Sequence, residues 1–153
     1  MPYKSKIEYE IKSLQKAYNL TDDGELQDYL ETCFTQLEAG VIVLEQPRMI
    51  ECILEMVGLH ADKRIKIHNT PACERNLLDK DPEGLPRSQP WNYRLVVGSL
   101  SYLQAMIGPD LTFSVQQCAR FCNNPSKQHE EANKRICQYL LPTKEQGLVL
   151  KLD

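Results

Sequence analysis

The sequence predicts an α+β fold in which one β-hairpin is combined with several amphipathic helices. Three consecutive segments within residues 91–141 carry apolar residues at helical spacing. Two β-rich runs, 26–37 and 41–44, flank a turn at Ala39–Gly40 and together are typical of a hairpin. A last apolar run, 147–150, indicates a short closing strand.

Composition and charge narrow the class of protein. The chain has 153 residues, of which 42% are hydrophobic, so it can bury a substantial core. Its net charge of −3 and its pI of about 5.7 argue against a dedicated, non-specific nucleic-acid binder. No apolar run reaches bilayer length and the N-terminus lacks a signal peptide's apolar core, so we expect an intracellular protein, cytoplasmic or nuclear, with no membrane partner. The six cysteines are scattered without a paired framework, which favours reduced thiols.

Two helices are predicted before residue 60, and irregular chain after it. The first, 4–19, is amphipathic, with an apolar face made of Ile7, Ile11, Leu14 and Tyr18. The second begins at Gln46–Pro47 and stops at Gly58. Residues 60–72 are basic and extended. Residues 73–90 are polar with three prolines and predict a surface loop or a partly ordered linker.

The three segments within 91–141 predict a three-helix unit. Pro109 suits the first turn of the second helix, Ser126 is an N-cap for the third, and Pro142 should stop the third. The predicted buried rows are Val96, Leu100 and Leu103 in the first helix, Leu111, Val115, Cys118 and Cys122 in the second, and Ala132, Ile136 and Leu140 in the third.

These helices also carry a specific resemblance. The strings YR-x-x-VGSL-x-YL from Tyr93, PD-x-x-x-x-V from Pro109 and ARF-x-x-x-P-x-x-x-H-x-x-A-x-x-RI-x-x-YL from Ala119 occur in this order over about fifty residues. They resemble the C-terminal part of a Ty1/copia-type retrotransposon reverse transcriptase, after the catalytic palm and before ribonuclease H. Three segments earlier in the chain resemble the same family less strongly. They are Asp23-Gly24-Glu25-Leu26 with Tyr29-Leu30, the helix containing Gln46, Ile50 and Leu54, and the pair Thr70-Pro71.

The resemblance implies a division of the chain and an absence of catalysis. Residues 1–72 would be the end-of-palm hairpin and a thumb-like region, 73–90 a loop or linker, and 91–153 a connection-like three-helix unit. The family's paired metal-binding aspartates, in a Y-V-D-D motif, would lie upstream of this sequence, and its ribonuclease H carboxylates would follow it. We therefore expect no enzyme activity from this sequence, and no cofactor.

The sequence departs from the family pattern at several positions. Glu31 stands where the hairpin normally has a glycine, and a carboxylate there would repel a primer phosphate. Gly108 replaces an arginine, Gln138 replaces another, and Pro142 interrupts a K-G pair. Most of these changes lose positive charge or add negative charge, which weakens the expectation of nucleic-acid binding.

Candidate reactive groups have simpler structural explanations. Asp22–Asp23 is the only adjacent aspartate pair and precedes Gly24, so a turn is favoured over a metal site. Cys118 and Cys122 have a spacing that could supply two metal ligands, but buried small side chains are favoured because no second ligand pair is present. His129 is better explained as a capping or packing residue than as a base.

Two groups of basic residues could contact nucleic acid. The first consists of Arg120, Lys127, Lys134 and Arg135, with Lys144 further along; the second consists of Arg48, Lys63, Arg64 and Lys66. Glu130, Glu131 and Glu145 are interleaved with the first group, so a solvated face of mixed charge is favoured for it.

Three functional hypotheses follow for a stand-alone fragment or host-recruited piece of such an element. The first is a protein-interaction or self-association module, because surface once covered by the palm would be exposed. The second is weak binding of RNA or of an RNA–DNA hybrid through Arg120, Lys127, Lys134 and Arg135. The third is a decayed element without a selected role.

Overall fold

The computed structural model describes residues 2–21, 24, 28–38, 40–59, 65–72 and 77–151, and it confirms the α+β class. Within these residues a four-stranded antiparallel sheet, of order β1-β2-β3-β4, accompanies five α-helices. The strands are β1 (Asp28–Tyr29), β2 (Thr32–Glu38), β3 (Val41–Glu45) and β4 (Leu148–Lys151). The helices are α1 (Pro2–Ala17), α2 (Pro47–Met56), α3 (Tyr93–Met106), α4 (Thr112–Ala119) and α5 (Lys127–Thr143), with a 3-10 turn at Pro109–Leu111.

One hydrophobic core joins α2 to the three C-terminal helices. The apolar rows predicted for those helices are buried at their centres: Val96, Leu100 and Val115 have no exposed surface, and Ile136 has 1%. Ile53 of α2 packs in the same cluster with 0% exposure. Full burial of one such aliphatic side chain stabilises the fold by about 1.5–3 kcal/mol. The predicted boundaries at 72–73 and 90–91 stay a prediction.

The predicted hairpin and closing strand belong to one sheet. Strand β2 pairs with β3 across a turn in which Gly40 has a φ of 87°, a conformation that glycine adopts without steric cost. Strand β4 pairs with the other side of β3, with Leu148 opposite Leu44 and Leu150 opposite Ile42. The last strand therefore closes back onto the first half of the chain and forms one edge of the sheet.

The prediction of one continuous strand over 26–37 is wrong. Residues 25–27 lie outside the described chain, and the remainder is broken by a two-residue turn at Leu30 and Glu31, whose φ angles are 49° and 64°. Two-residue hairpin turns require such angles and normally use glycine or asparagine. Because neither residue type is present at 30–31, no local signal predicts a turn there.

Helix ends largely follow the predicted capping chemistry. Gly58, with a φ of 70°, follows the C-terminal turn after α2. The Asn92 side chain caps α3 by accepting the Leu95 N–H at 3.1 Å. The prediction that Pro142 stops the last helix is wrong by one residue, since α5 includes Pro142 and ends at Thr143. The helix tolerates a proline so close to its end because the missing N–H removes only one backbone hydrogen bond.

Candidate functional site

The apolar face predicted for the N-terminal helix is exposed. Ile7, Leu14 and Tyr18 keep 58%, 48% and 64% of their surface, and Ile11 is half-buried. These four residues, called the α1 stripe below, are spaced by four, three and four positions and so lie along one side of α1. Tyr18 directly follows the helix, and its N–H donates to the Leu14 carbonyl at 2.8 Å. The opposite side carries Tyr9 and charged or polar residues. Helix α1 thus presents a seam of coiled-coil type to solvent.

The predicted nucleic-acid-binding residues are spread over two elements. Arg120, just after α4, is exposed and donates to the Gln117 Oε1 at 3.0 Å. Lys127 begins α5, and Lys134 lies seven residues later on the same side of that helix. Exposed Glu131 lies between these two lysines. Their binding role stays a prediction.

Arg135 belongs to a different grouping from the predicted one. Its guanidinium donates to the Thr70 Oγ1 at 3.0 Å. This bond holds the chain segment 65–72 beside α5. Burial, reinforced by the charges of Arg135 and Lys66, holds the pKa of His68 below its usual value.

Lys66, His68 and Arg135 are called the basic cluster below. Lys66 and Arg135 were predicted to belong to separate basic groups, and His68 to neither. Lys63 and Arg64, predicted alongside Lys66, lie outside the described residues. Within the described chain, no carboxylate lies at ion-pair distance from Arg135, and its Nε is buried without a hydrogen-bond partner. The contact between the 65–72 segment and Arg135 joins residues about 65 positions apart, so it leaves no local pattern in the sequence.

A small apolar cavity lies next to the basic cluster, between α4, α5 and the 65–72 segment. Its volume is about 60 Å³, and Arg135 lies in its wall together with Pro71, Leu78, Phe113, Ser114 and Ile136. Phe113 keeps 56% of its surface exposed. Ser114 is 6% exposed, and its hydroxyl has no hydrogen-bond partner among the residues that the structure describes. The cavity therefore combines an apolar wall, one unpaired hydroxyl and a guanidinium.

Residues 77–90, predicted as part of a loop or linker, are fixed to the start of α5. Glu130 is 3% exposed, and its carboxylate accepts the N–H of Gln89 at 3.0 Å and the hydroxyl of Ser88 at 3.1 Å. Arg87 pairs with the same carboxylate at 3.3 Å, and its guanidinium lies 4.6 Å from the Trp91 ring centre. The described residues 77–90 contain no helix or strand, and these contacts fix them to α5. The boundaries of the predicted linker stay a prediction.

His129 has the capping role that the sequence favoured. Its Nδ1 accepts the Ser126 backbone N–H at 2.9 Å, and its Nε2 lies 2.9 Å from the carbonyl oxygen of Asp79. The ring also stacks on Phe121, with centres 4.0 Å apart. Both ring nitrogens thus lie at hydrogen-bond distance from backbone groups. His129 therefore has no free nitrogen for acid–base chemistry.

The cysteines in α4 and α5 are packing residues. Burial raises the pKa of Cys118 to about 12 and that of Cys137 to about 12. The prediction that Cys122 lies on the second helix is wrong: α4 ends at Ala119, and Cys122 is half-buried in the turn that follows. Burial also raises the pKa of Cys122. Among the residues that the structure describes, no group of three histidine, cysteine, aspartate or glutamate side chains could hold a metal ion. Asp22 and Asp23 lie outside those residues.

Comparison with known proteins relates the chain to retrotransposons. It is 29% identical over 141 residues to the "Retrovirus-related Pol polyprotein from transposon RE1" of Arabidopsis thaliana, covering 92% of this chain and 9% of that protein. It is 30% identical to the Pol polyprotein of transposon TNT 1-94 of Nicotiana tabacum, over 85% of this chain and 10% of the relative. A putative transposon Ty5-1 protein of Saccharomyces cerevisiae is 25% identical, over 90% of this chain and 43% of the relative.

The homologues are thus Ty1/copia-type retrotransposon proteins, at 25–30% identity over most of the chain. This homology supports a fragment of a copia-type element. The chain spans less than half the length of each of these relatives. No protein-family model matches the chain, and no solved structure matches it significantly. None of the described helices is long and apolar enough to cross a membrane.

Proposed function

We propose that this chain corresponds to the Pol segment after the reverse transcriptase palm and before ribonuclease H, and that it acts as a protein-interaction or self-association module. The order of the motifs beginning at Tyr93, Pro109 and Ala119 supports the assignment of the segment. The exposed α1 stripe is the observation that carries the proposed role. In this proposal the chain itself catalyses no reaction.

Helix α1 needs a packing partner to be stable. An isolated helix of 16 residues is only marginally stable in water, so most helices depend on packing of their apolar face. Covering the α1 stripe would supply that packing. A second copy of α1 would provide this packing, because each copy carries the same apolar stripe.

The expected self-association is weak. Burying the exposed part of the α1 stripe gives about 1 kcal/mol per side chain, or about 8 kcal/mol for two copies. Association costs about 4 kcal/mol or more in lost translational and rotational freedom. The difference, about 4 kcal/mol or less, corresponds to a dissociation constant of about 1 mM or weaker.

Sedimentation equilibrium over a wide range of protein concentrations tests this proposal. The unaltered chain should dimerise, and the double variant Ile7→Glu/Leu14→Glu should stay monomeric because two carboxylates would be buried in the seam. The control, Tyr9→Glu/Ser13→Glu, adds the same charge to the other side of α1 and should dimerise normally. A monomer at all concentrations, or equal loss in both variants, would count against a seam on α1.

A second candidate is weak binding of RNA or an RNA–DNA hybrid through Arg120, Lys127, Lys134 and Arg135. Two observations favour it: Lys127 is aligned with Lys134, and no carboxylate among the described residues pairs with Arg135. Glu131 between the lysines opposes it, because a phosphate backbone would meet that carboxylate. A decayed element would show neither self-association nor hybrid binding.

A further inference from the structure

The cavity beside Arg135 has the size of a small aliphatic group. Its volume of about 60 Å³ is well below that of the roughly 150 Å³ apolar cavity that accommodates benzene. The branched end of a leucine, isoleucine or valine side chain fits this space, whereas an aromatic ring or a nucleobase does not. The lining side chains Pro71, Leu78 and Ile136 offer the apolar contacts that such a group needs.

Positive charge beside the cavity favours a ligand that carries an acidic group next to the aliphatic group. Arg135 forms part of the cavity wall, and Lys66 and His68 lie close enough for their charges to interact with one another or with Arg135. Lys66 and Arg135 both carry positive charge, and an incoming carboxylate would offset it. The buried Nε of Arg135 and the Ser114 hydroxyl, both unpaired in the described chain, are donors available to a ligand.

We propose that this cavity and the basic cluster bind a peptide segment in which an aliphatic side chain is flanked by acidic residues. The aliphatic side chain fills the cavity between α4 and α5, and a flanking carboxylate pairs with Arg135. The site rests on the proposed interaction role but uses a surface separate from the α1 stripe. It would give the chain a second contact, for an acidic partner, beyond self-association.

The probe for this site is the peptide Ac-Glu-Leu-Glu-NH2, followed by backbone amide NMR shifts of the ¹⁵N-labelled chain. Shifts should be confined to residues 65–72, Leu78, the 113–118 part of α4 and the 132–136 part of α5. Ac-Glu-Gly-Glu-NH2 lacks the aliphatic group and should bind about tenfold or more weakly. Ac-Lys-Leu-Lys-NH2 reverses the charge and should not bind. An oligouridylate tests whether nucleic acid uses the same surface.

Two variants separate the contributions of charge and cavity. Arg135→Gln should weaken binding of Ac-Glu-Leu-Glu-NH2 by about fivefold or more, since it removes a charge-assisted hydrogen bond. The matched control Arg120→Gln removes the same charge outside the cavity and should change affinity less than about twofold. Ala132→Leu should fill the cavity and abolish the preference for leucine over glycine in the probe. Circular dichroism checks that each variant is folded.

The site and the α1 seam can fail independently. Ile7→Glu/Leu14→Glu should bind the peptide as the unaltered chain does, even when it no longer self-associates. Equal affinity for the leucine and glycine probes, or equal effects of Arg135→Gln and Arg120→Gln, would overturn the proposal even if Ala132→Leu does not fold. Tighter binding of the oligouridylate at the same residues would also overturn it, in favour of nucleic-acid binding.

Discussion

The Glu130 carboxylate on α5 accepts the backbone N–H of Gln89 at 3.0 Å, across 41 positions of sequence. Ser88 adds its hydroxyl at 3.1 Å, and Arg87 adds an ion pair at 3.3 Å. One buried carboxylate thus fixes the chain that leads into α3 against the beginning of α5. The three-helix unit depends on this tie as well as on its apolar rows.

Replacing Glu130 by glutamine should destabilise the protein by about 1.5–3 kcal/mol, because the amide loses the charge and one acceptor oxygen in a buried site. Urea unfolding measures the change. Glu131→Gln alters the same group at the exposed neighbouring position and should change stability by less than about 0.5 kcal/mol. Similar losses in both variants would show that the bonds of Glu130 contribute little.

The stability of the protein should fall in acid because of Glu130. Burial opposes ionisation of this carboxyl, but the hydrogen bonds from Gln89 and Ser88 and the charge of Arg87 outweigh it and hold its pKa below the usual value. Between the folded and the unfolded pKa the unfolded state binds more protons, so stability rises with pH there. Its contribution is complete above about pH 4.5 and is lost as the pH falls through the folded pKa. Urea unfolding at several pH values should show a shallower slope in this window for Glu130→Gln.

Glu31→Gly should stabilise the hairpin. The residue is exposed and has a φ of 64°, a left-handed conformation that costs a side-chain-bearing residue about 1–2 kcal/mol. Glycine removes this strain but adds freedom to the unfolded chain, which leaves a net gain of about 0.5–1 kcal/mol. Thermal unfolding tests the gain. Gln36→Gly, in the middle of β2, should instead lower stability, and a loss at both positions would contradict the inferred strain.

The purified chain should incorporate no nucleotides on a primed template and should cleave no RNA in a hybrid, with magnesium or manganese. Polymerases of this kind need paired carboxylates for two metal ions. The only adjacent aspartates in the sequence, Asp22 and Asp23, precede Gly24 and lack the flanking residues of the family motif. Incorporation above a control without protein would contradict the proposed lack of catalysis.

Periodicity and capping signals predicted the elements whose causes are local. Val96, Leu100 and Ile136 revealed their buried rows by spacing alone, and Ser126 was correctly identified as the start of α5. The turn at Leu30–Glu31 was missed because its angles are unusual for both residues. Tyr102, which donates to the Leu30 carbonyl at 2.6 Å, helps to hold it from 72 positions away. Such support has no local sequence signature.

The candidate sites were predicted less well for the same reason. The α1 stripe was visible in the sequence, because Ile7, Ile11, Leu14 and Tyr18 follow helical spacing. Exposed apolar surface was expected where the palm would have covered the chain, but that exposure was not assigned to the α1 stripe. The approach of His68 to Arg135 depends on how the 65–72 segment lies against α5, and no spacing rule gives that.

Self-association and hybrid binding, each measured at two salt concentrations, test the interaction role most directly. We expect dimerisation whose constant changes less than about twofold between roughly 50 mM and 500 mM salt, because burial of apolar surface depends little on ionic strength. Hybrid binding should be micromolar or weaker at physiological salt and should fall steeply, by up to about one log–log slope unit for each phosphate contact. Tight hybrid binding that Lys134→Glu/Arg135→Glu weakens, with no dimerisation at any concentration, would contradict the interaction role in favour of nucleic-acid binding.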